Sequence, residues 1–305
     1  MDFDQLNTFI QVAKLRSFSR AGQKVFRSQS AVSAQIRQLE QEYGLQLLDR
    51  SGKTVSLTPA GEVFFEYAEK FLALHAESLR AVASRSSTPC GTLAIGANEA
   101  TCVYVLPNVF GEYTRRHPQV QISIYRNFSR KILEGVEDGS LDMGIVTLPV
   151  KSASLKVKPI FKDRIMCMVS TQNPLSQKSA VTVAEIAKQP LIFPKTGSTR
   201  QLFDKIFRPY RGKLRISMEI PSISMIKRFV NADVGVSLIS ESYAADQVRA
   251  GEAKLIPVKG LNLTRELALV YRIDRTLPRA AVAFIELCDP KAGILKAKAP
   301  VSEVK

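Results

Sequence analysis

A chain of 305 residues, 45% of them apolar, is long for one hydrophobic core and implies two or three compact units. Its net charge of +15 is uneven: residues 1–60 carry +3, residues 61–88 carry −1 and the remainder +13, so the basic surface that attracts anions lies mostly outside the N-terminal part. No apolar run approaches the ~20 residues that cross a bilayer, the polar start Met1-Asp2-Phe3-Asp4 is unlike a secretory leader, and Cys90, Cys102, Cys167 and Cys288 form no C-x-x-C pair. A cytoplasmic protein without metal or cofactor is expected.

In chain order, Phe9, Val12, Ala13 and Leu15 give a helical stripe ending near Arg16. Ser17 or Ser19 can cap a second helix, Phe18 to Val25, whose Ala21 and Gly22 permit close packing. Ser28 caps a third, in which Val32, Ile36 and Leu39 fall at i, i+4, i+7 and form a buried face. The opposite face carries Gln29, Ser30, Ser33, Gln35 and Arg37, the amide, hydroxyl and guanidinium groups that pair with base edges in a major groove. Tyr43-Gly44 ends this helix. Two short strands around Ser51-Gly52-Lys53 then form a hairpin wing with cations at its tip. Three helices and a basic wing make a winged helix-turn-helix. Gln29, Ser33 and Arg37 are the candidates for base-edge contact, with Ser30 beside them; Arg20, Ser28, Arg50 and Lys53 are the candidates for phosphate.

Pro59 suits the first turn of a helix that runs without a breaker to about Arg85. Phe65, Leu72 and Leu79 recur every seven residues, and Ala68, His75 and Val82 three positions later, which predicts an a/d seam for dimerisation. Ser84 to Gly91 reads as a hinge.

Beyond it, strand and helix signals alternate: strands at Leu93–Ala97, Val120–Ile124, Leu141–Thr147, Ile165–Val169, Leu191–Phe193, Leu214–Ile220, Val234–Ile239 and Glu266–Tyr271, helices at Val103–His117 and Ile132–Asp138, and a closing helix at Ala280–Cys288. Alternation of this kind predicts parallel sheets with helices on their faces, an α/β class overall. Ligands in such folds sit at strand C-termini against helix N-termini. Three places qualify, Asn98-Glu99-Ala100-Thr101, Lys195-Thr196-Gly197-Ser198-Thr199 and Pro221-Ser222-Ile223-Ser224, with Thr147 at the end of another strand facing the same cleft. Together they predict a small-molecule cleft that takes an acidic metabolite, provided that a cation such as Arg126 or Arg200 neutralises Glu99. Lys291 to Lys305 reads as a flexible tail. The alternatives are an enzyme or a solute-binding protein built on the C-terminal domain. His75 and His117 are the only histidines, and no G-x-S-x-G, P-loop or metal spacing occurs, so no catalytic residue is assigned.

Residues 1–61 resemble the DNA-binding domain of LysR-type transcriptional regulators through Ser17-Phe18-Ser19-Arg20-Ala21, Ser28-Gln29 through Ser33, Ile36 through Glu40 and Leu57-Thr58-Pro59-Ala60-Gly61. Leu141-Asp142-Met143-Gly144-Ile145 and Asp233-Val234-Gly235-Val236 extend the resemblance into the effector-binding domain. Two positions depart from the pattern: Ala34 stands where a basic residue is frequent and Ser30 where proline is common. The resemblance implies a winged helix-turn-helix over 1–58, a linker and dimerisation helix over 59–88, and an effector domain over 89–290, similar to periplasmic binding proteins. In that domain lobe I would span 92–162 and 268–290 and lobe II 163–267, with crossovers near Lys162–Arg164 and Thr264–Ala268, and a tail 291–305 would follow. It also implies an inverted-repeat site on double-stranded DNA, a small-molecule effector, a homodimer assembling into a tetramer, and contact with RNA polymerase. Peroxide-sensing members carry a closely spaced cysteine pair in lobe II, where this chain has only Cys167.

Overall fold

The computed structural model describes residues 1–52, 54–83 and 88–295. The chain divides into two compact units, one running from Met1 to Ala83 and one holding nearly all of the rest.

In the first unit, α1 (Phe3–Leu15) starts with a capping box: the Asp2 carboxylate accepts from the Gln5 N–H at 2.7 Å and the Gln5 side chain from the Asp2 N–H at 2.9 Å. Ser17 caps α2 (Phe18–Val25), and Ser28 caps α3 (Gln29–Tyr43) by accepting from the Ala31 N–H at 3.2 Å. Gly22 lets the turn between them close, since a Cβ there would stand 2.6 Å from the Arg27 carbonyl oxygen. Val32, Ile36 and Leu39 are fully buried with Leu6, Phe9 and Val12 of α1. Then β1 (Leu48–Asp49) pairs antiparallel with β2 (Ser56–Leu57) to form the wing.

The long α4 (Pro59–Ala83) is fastened at its start. The Thr58 hydroxyl donates to the Gln46 carbonyl at 2.7 Å and accepts from the Gly61 N–H at 3.0 Å, while a Cβ on Gly61 would overlap the Leu47 carbonyl. Along α4 the seam expected from the heptads is split. Ala68 is fully buried, Phe65 and Leu72 pack on the same domain core, and His75 stacks on Phe3 at 3.7 Å between ring centres. Phe65, Ala68 and Leu72 face inward because α1 packs against α4 and takes up their apolar surface, and Phe3 at the start of α1 reaches His75. Leu79 and Val82 are exposed, as is a second apolar stripe, Val63, Tyr67, Phe71 and Leu74, around the helix from the seam.

The second unit is built on a seven-stranded sheet. Its lobe I comprises β3 (Gly91–Ala97), α5 (Glu99–Tyr104), α6 (Pro107–Arg116), β4 (Val120–Arg126), α7 (Ser129–Glu137) and β5 (Met143–Thr147). Strand β3 runs parallel to both β4 and β5. The single helix expected over Val103–His117 is two, broken before Pro107, which lacks the N–H needed to continue the ladder. The 16-residue β6 (Leu155–Ser170) crosses into lobe II, which holds α8 (Val183–Ala187), β7 (Pro190–Pro194), α9 (Gly197–Ile206), β8 (Arg215–Ile220), α10 (Ile223–Asn231), β9 (Ser237–Ser240), α11 (Glu241–Arg249) and β10 (Ala253–Ile256). The chain returns along β11 (Thr264–Arg272) to α12 (Arg279–Leu287).

Strand β6 pairs antiparallel with β9, β10 and β11, and β11 antiparallel with β5, so the sheet is mixed rather than all-parallel. The ladder of β6 and β11 shifts between Leu267 and Ala268, opposite Phe161 and Pro159, the irregular place where a strand tolerates proline. Separate apolar clusters fill lobe I (Leu93, Ile95, Tyr113, Phe284) and lobe II (Cys167, Phe193, Phe203, Val236). The packed chain runs past the expected start of the tail: Pro290–Ala292 forms a 3-10 turn and Leu295 is buried in the lobe I cluster, because an apolar Ile294-Leu295 pair interrupts the Lys/Ala/Pro composition. Residues 296–305 and 84–87, part of the expected tail and hinge, lie outside the described residues.

Candidate nucleic-acid interface and effector cleft

On α3, the burial of Val32, Ile36 and Leu39 leaves Gln29, Ser30 and Arg37 exposed and Ser33 half-exposed. The Ser28 and Ser30 hydroxyls are 2.9 Å apart, and the Arg37 Nε donates to the Ser33 carbonyl at 3.3 Å. Gln35 departs from expectation. Its side chain accepts from the buried Thr8 hydroxyl at 2.8 Å, since it flanks the apolar stripe and is drawn in by α1. Gln38 is tied to Gln5 in the same way at 2.9 Å. The polar face that α3 leaves open is therefore Gln29, Ser30, Ser33 and Arg37.

The expected phosphate contacts are arranged differently from one another. Arg20 donates to the Leu15 carbonyl at the end of α1. Arg50 pairs with Glu40 at 2.6 Å and lies over the Phe18 ring at 5.2 Å. The other Glu40 oxygen accepts from the Leu47 and Leu48 N–H groups at 3.0 and 3.2 Å, so one carboxylate of α3 fixes the root of the wing. Lys53 lies outside the described residues.

In the second unit the strand ends bring several of the expected loops together. Strands β7 and β8 are parallel neighbours, and the Lys195 N–H donates to the Ile220 carbonyl at 2.9 Å, so the starts of α9 and α10 lie side by side. Neither start has a side-chain cap, leaving N–H donors at Gly197–Thr199 and after Ser222. Gly197 has φ +89°, the left-handed conformation that favours glycine. In lobe I, Asn98 caps α5 by accepting from the Thr101 N–H at 2.9 Å. Glu99 is neutralised by Arg126 at 2.7 Å. Arg200 does not serve that purpose, being held by Asp204 and Glu219, whose hydrogen bonds raise its pKa. Thr147, half-buried at the end of β5, donates its N–H to Ser129 at 3.4 Å. Ala100 is half-buried against a second lobe II cluster that includes Ile226 and Tyr243, and Thr101 is fully buried with an unpartnered hydroxyl among the described residues. Thr101 is therefore withdrawn from the surface.

The join between the lobes brings Ser224, from the expected Pro221–Ser224 loop, together with Tyr104 and Lys227, which were not singled out from the sequence. The Tyr104 hydroxyl of α5 is 2.9 Å from the Ser224 hydroxyl of α10. The buried Lys227 Nζ lies 3.9 Å from the centre of the Tyr104 ring and donates to the Tyr243 carbonyl at 2.7 Å. The available signal was Lys227 itself, a cation on the apolar stripe of Ile223, Ile226 and Val230. Along the crossovers, Lys162 pairs with Glu266 at 2.9 Å and Arg164 with Glu241 at 3.0 Å. Between them Asp163 and Arg265 are buried 3.4 Å apart, and Arg265 also donates to the Tyr243 hydroxyl. Burial raises the Asp163 pKa and lowers that of Arg265 to about 10, so for each group desolvation outweighs attraction to the other. Cys167 is fully buried and its thiol is pushed up to about 12 by burial.

A DNA-reading helix on a winged unit and a two-lobed α/β unit define a class of ligand-responsive DNA-binding proteins. The pattern described as "LysR substrate binding domain" matches residues 86–292 and that described as "Bacterial regulatory helix-turn-helix protein, lysR family" matches residues 3–62. The chain belongs to the LysR family and is a LysR-type transcriptional regulator with DNA-binding and effector-binding domains. It is 29% identical over 289 residues to a "Probable RuBisCO transcriptional regulator" of Synechocystis sp., covering 92% of this chain and 84% of that protein. It is 30% identical over 277 residues to one of Trieres chinensis, covering 87% and 89%. Among solved structures it resembles CbnR (TM-score 0.72, 19% identity, 97% and 100% covered) and full-length CbnR complexed with its target DNA (0.71, 20%, 94% and 99%). It also resembles a full-length OxyR variant from Pseudomonas aeruginosa (0.66, 24%, 94% of each chain).

Proposed function

We propose that this regulator reads an inverted-repeat site on double-stranded DNA as a homodimer and that a small molecule between its two α/β lobes changes how it does so. The observation that carries the reading is the polar face of α3, held outward by the burial of Val32, Ile36 and Leu39. One such helix covers only a few base pairs, so a two-fold partner supplies the rest of the site. The apolar stripe of Val63, Tyr67, Phe71 and Leu74, continued by Leu79 and Val82, offers the surface for that partner, and pairing of dimers would give the tetramer.

In the cleft, the open N-termini of α9 and α10 supply donors for an anionic group, and the Glu99–Arg126 pair removes the repulsion that a lone carboxylate would impose. This supports an acidic metabolite. By linkage, such an effector moves DNA affinity only as far as it prefers one arrangement of the lobes. We place the protein in the cytoplasm, where promoter DNA and RNA polymerase are; no helix among the described residues is long and apolar enough to cross a membrane. A regulatory rather than catalytic role is supported by the histidines: His75 is stacked on Phe3, and His117 packs on Tyr113 at 4.9 Å between ring centres.

Selection of bound duplexes from a random pool, with and without a mixture of carboxylate metabolites, tests the proposal. The expected result is a palindromic consensus whose occupancy changes with the mixture. Recovery of unrelated sequences, or a consensus without two-fold symmetry, would contradict it.

A further inference from the structure

The side chain of Phe26 is 95% exposed, more than any other large apolar residue among the described residues. Its backbone adds a second cost. Phe26 closes α2 in the left-handed conformation, φ +56°, where glycine or asparagine is the favourable choice. Burial does not offset these costs, since the ring stays in solvent. The turn is nevertheless rigid: the Phe26 and Arg27 N–H groups both bond to the Gly22 carbonyl, the latter at 2.9 Å, and the Arg27 guanidinium pairs with Asp4 at 2.9 Å. A rigid turn thus holds an aromatic ring in solvent two residues before Ser28, the cap of the reading helix.

The N-terminal residues of a reading helix are the ones that reach base edges. On the major-groove edges of the four base pairs the thymine C5-methyl is the one apolar group. The geometry points to Phe26 as a specificity-determining residue that packs on a thymine methyl in each half-site, beside the polar readout by Gln29 and Ser33. This rests on the reading of α3 as the DNA-recognition helix and adds to it a base identity and a residue.

The full-length chain and a duplex it selects from a random pool provide the test, with each thymine replaced in turn by uracil, which lacks only the methyl. For the unaltered protein, one thymine in each half-site is expected to cost about fourfold in affinity when its methyl is removed. Phe26→Ala is expected to be insensitive at that position while keeping its response elsewhere. Phe26→Asn, which suits the left-handed turn, is expected to show the same loss of thymine preference with a thermal midpoint no lower than that of the parent. Uracil substitutions that affect parent and variants alike, or a uniform weakening of the variants on all sequences, would overturn the inference and leave the α3 reading intact. A parent chain that selects no duplex would overturn both.

Discussion

Gly61 has no room for a single methyl group, because its Cα lies against the Leu47 carbonyl at the root of the wing. Gly61→Ala is therefore expected to destabilise the N-terminal unit by about 1–3 kcal/mol, read as a lower midpoint in chemical denaturation; an unchanged midpoint would show that α4 can slide. The run Leu57 to Gly61 was recognisable in the sequence, but its reason was not, since the close approach is to a residue fourteen positions upstream. Arg50 illustrates the same limit. Its charge and place in the wing were legible, whereas its pairing with Glu40 is a tertiary fact. Arg50→Ala is expected to weaken binding to every duplex and to lower the salt slope by about one. The lost pair adds a stability cost of about 0.5 kcal/mol, small because Arg50 is 38% exposed. Arg50→Lys should recover part of the binding without the guanidinium's contact over the Phe18 ring. A change in sequence preference instead of a uniform loss would argue for a base contact.

At the scale of elements, periodicity marked most helices and strands but was less able to say which neighbour a face would meet. The heptads of α4 are real; four of the six seam residues nevertheless meet the unit's own core, because α1 competes for the same face. The stripe through Tyr67 and Leu74 stays exposed and is the surface proposed for a second chain. Leu74→Glu, at a position 60% exposed, is expected to leave the folded monomer intact and to shift sedimentation from dimer towards monomer. An unaltered dimer would move the interface elsewhere. A different element gives a pH test. The capping box of α8 joins Glu185 to Thr182, and Lys178 adds an ion pair; Lys178 first and then Thr182 hold the Glu185 pKa down to about 2, against the usual 4.5. A carboxylate depressed in the folded state stabilises above its unfolded pKa and loses that contribution as pH falls through its folded one. The denaturation midpoint of Glu185→Gln should therefore lie below the parent's at pH 7, with the gap closing between about pH 4.5 and 2. A pH-independent gap would assign the loss to packing.

For the whole molecule, the effector site proposed between the two lobes makes the contact that joins them the place where ligand binding is expected to be felt. Helix α5 begins at Asn98 and Glu99, among the candidate ligand contacts, and ends at Tyr104, which meets Ser224 and Lys227 of lobe II. A six-residue helix is short enough to move as one piece, so a ligand that displaces its first turn also disturbs its last. Lys227 sharpens the argument, because this buried cation has no carboxylate partner among the described residues and is held by a carbonyl and an aromatic face alone. Those groups favour the arrangement in which the lobes are together, and a ligand that bridges the lobes favours it too. Tyr104→Phe deletes one hydrogen bond and keeps the ring under Lys227. At about 1 kcal/mol net for such a bond, the half-saturating concentration of the effector should rise about fivefold, while duplex affinity without effector stays within about twofold. Combining it with Lys227→Met, which retains the alkyl stem, should give less than the sum of the two single effects, because both act on one join. Strict additivity would show that Tyr104 and Lys227 act independently; an effector midpoint that does not move would uncouple Tyr104 from the ligand response and leave the hinge pairs Lys162–Glu266 and Arg164–Glu241 as the place to look for it.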